Sequence, residues 1–157
     1  GEMLQLNINS LTELCYLFLD DLRKKPEAGI INVGSTGSFV PVPYSAVYGA
    51  SKSYVLYFTE ALVGELSGSN VKVFCLCPSA TDTDFNRVAN DAVSNKGVDM
   101  KSPDEVAREG IDAFLSSGKH YVLTGRKSML LMIKVFSRKK IIQMVTKAWR
   151  KRLGMNA

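Results

Sequence analysis

Acidic residues run out at Asp112. Residues 113–157 contain 11 lysines and arginines and no aspartate or glutamate, whereas residues 1–112 contain 9 basic and 15 acidic side chains. The formal charge of +5 is thus a mildly acidic body joined to a strongly basic tail. Cysteine is also sparse. Cys15, Cys75 and Cys77 are odd in number and lack a zinc-type spacing, which argues against a disulfide framework or structural metal site and fits a reducing compartment. No apolar run approaches the ~20 residues of a membrane-spanning helix, and the first residues lack the basic-then-apolar pattern of a secretory leader. A cytoplasmic protein is expected. Phosphate-binding glycine signatures are missing too, since neither G-x-G-x-x-G nor G-x-x-x-x-G-K-[ST] occurs. What remains, 157 residues with 46% hydrophobic and 22% charged side chains, excludes a disordered chain and suits a globular one.

Apolar residues recur at helical spacing from Met3 to Leu22, and Arg23-Lys24-Lys25 with Pro26 ends that helix. Ile30 to Val33 reads as a buried strand that stops at Gly34-Ser35-Thr36-Gly37, and the prolines of Val40-Pro41-Val42-Pro43 impose an extended loop. A second helix is expected from about Tyr48 to Leu66, followed by a strand from Val71 to Cys77. Cys75 and Cys77 share one side of that strand as core residues. Ser102-Pro103-Asp104-Glu105 carries a cap, a first-turn proline and acids at the positive end of the dipole, so it opens a third helix to about Ser116. His120 to Thr124 reads as a third strand. Alternating helix and strand imply a parallel α/β sheet with right-handed crossovers. It starts on a helix and has three strands, where a doubly wound domain usually has six or so.

Chemistry concentrates at one edge of that sheet. Tyr48 and Lys52 lie at i and i+4, one turn apart on a helical face. A phenol of pKa ~10 is a poor acid-base group at neutral pH until a cation favours the phenolate, and Lys52 is placed to do so. Ser35 lies 13 residues before Tyr48 at the carboxyl end of a strand, where open α/β sheets gather ligand-binding groups. Asn7 precedes it by 28 residues, and Pro78-Ser79-Ala80-Thr81-Asp82-Thr83 follows the next strand at the same edge. A serine hydrolase competes weakly. Gly34-Ser35-Thr36-Gly37 is not G-x-S-x-G, and the one histidine, His120, begins a distant strand. Thr81 to Asp84 reads as a helix-capping loop, and no metal is expected.

Taken in order, these features resemble the second half of a short-chain dehydrogenase/reductase, and the broad-specificity bacterial reductases within that family. Asn7 matches the family's helix asparagine, Ser35 its serine, and Tyr48 with Lys52 its Y-x-x-x-K pair; "IINVGSTGSFVPVPYSAVYGASKSYV" is similar to the catalytic segment throughout. The resemblance implies a partial Rossmann-like fold, comprising the last three strands of a doubly wound parallel sheet with their helices, plus a basic helical tail. On that reading residues 1–125 are the later half of a domain of about 250 residues, and residues 126–157 are the tail. It implies hydride exchange between NADP or NAD, NADP being favoured, and a small carbonyl or alcohol substrate of lipophilic character. Tyr48 is then the general acid/base, Ser35 polarises the carbonyl, Lys52 lowers the tyrosine's pKa and holds the nicotinamide ribose, and Asn7 holds a relay water. Pro78, Ser79, Thr81 and Thr83 match cofactor-contacting positions. Pro78-Ser79 departs from the family's Pro-Gly by adding a Cβ where the backbone nears the nicotinamide. The first strands and the glycine-rich turn are missing, so the chain alone is expected to be inactive.

The alternative is a non-enzymatic module, a truncated or degenerate reductase fold serving membrane or protein association. Without neighbouring strands, Ile30–Val33 is an unpaired apolar edge that favours self-association, and a homo-oligomer is expected. From Ser128 to Leu153, apolar Met129, Met132, Ile133, Phe136, Ile142, Val145 and Trp149 interleave with Lys134, Arg138, Lys139, Lys140, Lys147, Arg150, Lys151 and Arg152. That pattern reads as one basic amphipathic helix, or two broken near Ser137-Arg138, suited to peripheral membrane contact. No binding motif accompanies the charge, so nucleic acid is not expected as a partner.

Overall fold

The computed structural model describes residues 1–84, 100–116, 118–124 and 128–155. Three parallel strands form one sheet in the order β1 (Ala28–Val33), β2 (Val71–Cys77), β3 (Tyr121–Leu123). β1 pairs with β2 from Ala28 opposite Val71 to Val33 opposite Leu76, and β2 pairs with β3 from Cys75 opposite Tyr121 to Cys77 opposite Leu123. The α/β class and the parallel, Rossmann-like sheet expected from the alternation of elements are thus present. β1 starts two residues earlier than the apolar run, at Ala28, because main-chain pairing with Val71 extends past the last large side chain. β3 is shorter than expected, and His120 stands outside it.

β2 is the axis of the core and is covered on both sides. Its alternate residues Val71, Val73, Cys75 and Cys77 point toward α3 (Ala46–Glu65), where they meet Val55, Leu56 and Leu66. Phe74 and Leu76 point the other way, against Val106 and Phe114 of α4 (Pro103–Ser116). A strand buried on both faces reads as continuous apolar sequence, which is why "VKVFCLC" showed no alternation. Phe74 is fully buried and meets Phe114 edge-on at 5.9 Å between ring centroids, so Phe74→Ala removes about 3–5 kcal/mol.

The first helix is not regular. α1 (Glu2–Leu4) passes into a π-helical turn at Gln5–Ser10 before α2 (Leu11–Arg23). The opening of α4 follows the sequence reading. Ser102 and Glu105 form a reciprocal cap, with the Ser102 amide donating to Glu105 Oε2 at 2.8 Å and the Glu105 amide donating to Ser102 Oγ at 3.2 Å. The tail forms two helices, α5 (Ser128–Val135) and α6 (Arg138–Arg152), broken at Ser137 as the sequence suggested. The expected boundary at residues 125 and 126, and the helix that Thr81 to Asp84 was expected to cap, lie outside the described residues.

Candidate active site

β1 delivers its last residues to the carboxyl edge of the sheet. The Gly34 amide donates to the Leu76 carbonyl at 2.8 Å and the Thr36 amide to the Pro78 carbonyl at 2.9 Å, so Ser35 and Pro78 are brought side by side. Gly34 fits closely there: a Cβ would stand 3.1 Å from the sulfurs of both Cys75 and Cys77, tight enough that they would have to give by a few tenths of an ångström. Ser35 then caps a single 3-10 turn, Thr36–Ser38. Its Oγ accepts from the Gly37 amide at 3.0 Å, while Ser38 Oγ accepts from the Ser35 amide at 3.1 Å.

The turn is tied to α3, which carries Tyr48 and Lys52. Ser38 Oγ donates to the Lys52 carbonyl at 2.7 Å, and Ser53 Oγ donates to the Ser38 carbonyl at 3.0 Å. Contact between the loop and α3 is close. A Cβ on Gly49 would come within 2.8 Å of Val42 Cγ2, so only glycine permits the helix to lie so near the loop. Tyr44 pays for this path with a left-handed backbone, φ 66°, which is uncommon for an aromatic residue. Its hydroxyl accepts from Arg150 Nε of α6 at 2.9 Å.

Tyr48 and Ser35 meet through their hydroxyls. Burial pushes the Tyr48 phenol above its ordinary pKa, and the side-chain hydrogen bond with Ser35 pulls it part of the way back. Lys52 is not among the groups that move it. The ammonium instead donates to the Val33 carbonyl at 3.0 Å, and burial lowers its own pKa, with Cys75 and Cys77 opposing the change. Desolvation dominates the phenol in this structure, because both side chains lie against the end of β1 rather than in water.

Asn7 sits in the π-helical turn and donates from Nδ2 to Ser51 Oγ at 3.0 Å; Ser51 Oγ donates in turn to the Tyr48 carbonyl at 2.8 Å. The irregular turn thus reaches the helix that presents the phenol, and π-turns are often found at such places. Ser51 and Ser38, both buried, were not singled out from the sequence. Their signal was spacing: Ser38 follows Ser35 by three, a reciprocal-cap interval, and Ser51 follows Tyr48 by three on the same helix. Along the adjoining loop, the Ser79 amide donates to the Thr124 carbonyl at 3.2 Å and Thr81 Oγ1 donates to the Ser79 carbonyl at 3.1 Å. Pro78 therefore adjoins the Ser35 turn, Ser79 is tied to Thr124 and Thr81 to Ser79, and Thr83 is exposed.

Other candidates fall elsewhere. His120 lies at the amino end of β3, opposite the Ser35 edge, and its Nε2 is 3.1 Å from Glu60 Oε1. Among the described residues no Ser-His pair is assembled. Cys75 and Cys77 are buried beneath Gly34 with sulfurs 3.6 Å apart, and their mutual hydrogen bond together with burial holds the Cys77 thiol far above its ordinary pKa. They are core residues, as their period-two placement suggested.

Among solved structures, a 7beta-hydroxysteroid dehydrogenase superposes with a TM-score of 0.75 at 19% identity, covering 91% of this chain and 57% of that one. A short chain dehydrogenase from Burkholderia cenocepacia in complex with NADP gives a TM-score of 0.73 at 23% identity, covering 89% and 57%. At such identities the likeness establishes the fold. The 3-oxoacyl-[acyl-carrier-protein] reductase FabG of Chlamydia trachomatis is 28% identical over 132 residues, 80% of this chain and 52% of that protein. Dehydrogenase/reductase SDR family member 4 of Bos taurus is 30% identical over 132 residues, 79% and 47%. The chain spans about half the length of these curated relatives. Residues 1–94, which hold every one of the site residues above except Thr124 and Arg150, match the family profile described as short chain dehydrogenase, and the chain belongs to that family.

Proposed function

We propose that this chain carries the proton-handling part of an NAD(P)-dependent oxidoreductase acting on a small carbonyl or alcohol substrate. The observation that carries this reading is the hydrogen bond between Ser35 and Tyr48 at the carboxyl edge of the sheet, with Lys52 anchored beside them. The donor set there suits the nicotinamide end of a dinucleotide. The Lys52 ammonium and Tyr48 hydroxyl can hold ribose hydroxyls, and the Ser79 to Thr83 loop presents hydroxyls and main chain for a carboxamide. NADP is favoured over NAD, since relatives of the fold have been solved with it. When bound, the nicotinamide supplies or accepts the hydride.

The chain's own residues manage position and protons. Ser35 donates its hydroxyl hydrogen to the substrate oxygen and orients it. Tyr48 gives its phenolic proton to that oxygen as a carbonyl is reduced, and takes a proton back as an alcohol is oxidised. A phenol held above its ordinary pKa stays protonated at neutral pH, which suits the reducing direction. Asn7 acts through Ser51 on the main chain of Tyr48 and holds the relay water. The open apolar side chains Leu14, Leu17 and Phe18 of α2 and Tyr57 of α3 support a homo-oligomer.

Carbonyl reduction and nicotinamide fluorescence, measured on this chain and on a version extended upstream, each with and without Tyr48→Phe, test the reading. The substitution is expected to lower kcat by about 10²–10⁴-fold while cofactor binding persists. Activity that survives Tyr48→Phe overturns the mechanism.

A further inference from the structure

The basic tail does not present the face its sequence suggested. Along α6, Ile141, Val145, Trp149 and Arg152 follow one another at helical spacing, and all four turn inward, with Ile141 buried. Val145 and Trp149 are therefore half-buried and do not form an open apolar face. The open apolar side chains overlap the sequence pattern only in part: Phe136 at the corner and Ile142 at the start of α6 belong to it, and Leu131 and Val135, one turn apart on α5 and each 64% exposed, join them.

Cations surround this knuckle. Lys134 lies exposed between Leu131 and Val135, and Arg138, Lys139 and Lys140 follow Phe136 in the first turn of α6, all exposed. Ser137 caps that turn, its Oγ accepting from the Lys140 amide at 3.3 Å, so the three cations are fixed on a formed helix rather than a loose end. They stand at the positive end of the helix dipole, where acids are the favourable choice. No acid follows Asp112, and no described salt bridge engages Lys134, Arg138, Lys139 or Lys140.

We propose that the α5–α6 corner docks on an anionic lipid bilayer. Leu131, Val135, Phe136 and Ile142 enter the boundary between headgroups and acyl chains, and Lys134, Arg138, Lys139 and Lys140 pair with lipid phosphates. An apolar tip inside a basic collar matches a surface that is negative outside and hydrocarbon within. A nucleic acid satisfies the cations but leaves Leu131 and Val135 in water. The docking is peripheral, since no described helix is long and apolar enough to cross a membrane. It stands independently of the reading of the Ser35 edge.

The test is co-sedimentation of the protein with phosphatidylcholine vesicles, with and without phosphatidylglycerol, over a range of salt. Wild type is expected on the anionic vesicles, weakening as salt rises, and to be largely absent from the neutral ones. Lys139→Gln with Lys140→Gln is expected to weaken binding on the order of 20-fold, each cation near an anionic leaflet contributing about fivefold. Leu131→Ser with Val135→Ser is expected to weaken it at every salt concentration. All four positions are exposed, so circular dichroism should report an unchanged fold. Equal binding to neutral and anionic vesicles, or binding to neither, overturns the proposal. So does binding to short duplex DNA without binding to vesicles, or a dimer that Leu131→Ser with Val135→Ser splits while vesicles capture neither form.

Discussion

At the sheet edge, hydroxyls join elements that are far apart in sequence. Ser38 links the 3-10 turn to α3, Ser51 links the π-helical turn to α3, and Ser35 holds both its own turn and Tyr48. In the tail, α6 is seated by an aliphatic and aromatic stripe, supplemented by the hydrogen bond from Arg150 to Tyr44. The contrast extends to charge. Lys52 at the edge is half-buried and bonded to the Val33 carbonyl, whereas the cations of the first turn of α6 are open to solvent. A cation partly withdrawn from water is costly to keep, so its retention marks a task; an exposed cation costs little, and only its company gives it meaning. One region has its polar groups committed internally, and the other holds them outward.

Lys52→Met tests the first half of this contrast. Activity is expected to fall on the order of 10²-fold, the low end for a group that serves proton transfer. Stability should not follow. Burial lowers the native pKa of Lys52, so the charged form penalises the fold at neutral pH, and that penalty fades as pH rises through the lowered pKa toward the ordinary value. Thermal melts are therefore expected to place Lys52→Met at or above wild type at pH 7, with the gap closing in alkali. A variant that is both inactive and much less stable at pH 7 breaks the distinction between committed and merely structural charge.

Ile141→Ala addresses the other half. Truncating this buried side chain is expected to remove about 2–4 kcal/mol by chemical denaturation while leaving kcat near wild type. An activity loss as deep as that of Lys52→Met would merge the two regions, acting through Arg150 and the strained Tyr44. Ser51→Ala is smaller. It leaves the Asn7 amide without its acceptor and is expected to cost about 1–3 kcal/mol, read as a shift in the urea midpoint. An unchanged midpoint would mean that the π-helical turn holds without its tie to α3.

Much of this was legible in the sequence, and the failures have a common cause. Val71 to Cys77, the Ser102 cap and the break at Ser137 came from local rules, because a strand run, a cap and a helix break each depend on a few consecutive residues. Ser35, Tyr48, Lys52 and Asn7 were placed by order and spacing; in the fold Ser35 bonds Tyr48, Asn7 reaches the Tyr48 carbonyl through Ser51, and Lys52 stands one turn further along α3. The misses required knowledge of a partner far away. Nothing local tells that Lys52 finds a strand carbonyl, that Ser51 meets Asn7 across 44 residues, or that Ile141, Val145 and Trp149 turn inward while Leu131 and Val135 remain open. Amphipathic spacing defines a stripe. It does not say which of two stripes the rest of the molecule covers.

The smallest effect sharpens the charge comparison. Glu105 is an exposed acid of the body, yet the Ser102 amide and hydroxyl hold its carboxyl below the usual carboxylate range. A folded pKa lowered in this way contributes stability that is fully present above the unfolded pKa and is lost as pH falls through the folded one. Glu105→Gln keeps an oxygen to accept from Ser102 but removes the negative charge from the positive end of α4. It is expected to lower the melting temperature slightly at pH 7 and to match wild type once the medium is acid enough to protonate Glu105. Lys139→Gln, at the equivalent end of α6, is expected to leave the melting temperature unchanged or raise it at pH 7, because a cation there opposes the dipole. If both substitutions lower it equally, the tail's cations are structural after all, and the difference between the two regions lies in burial alone.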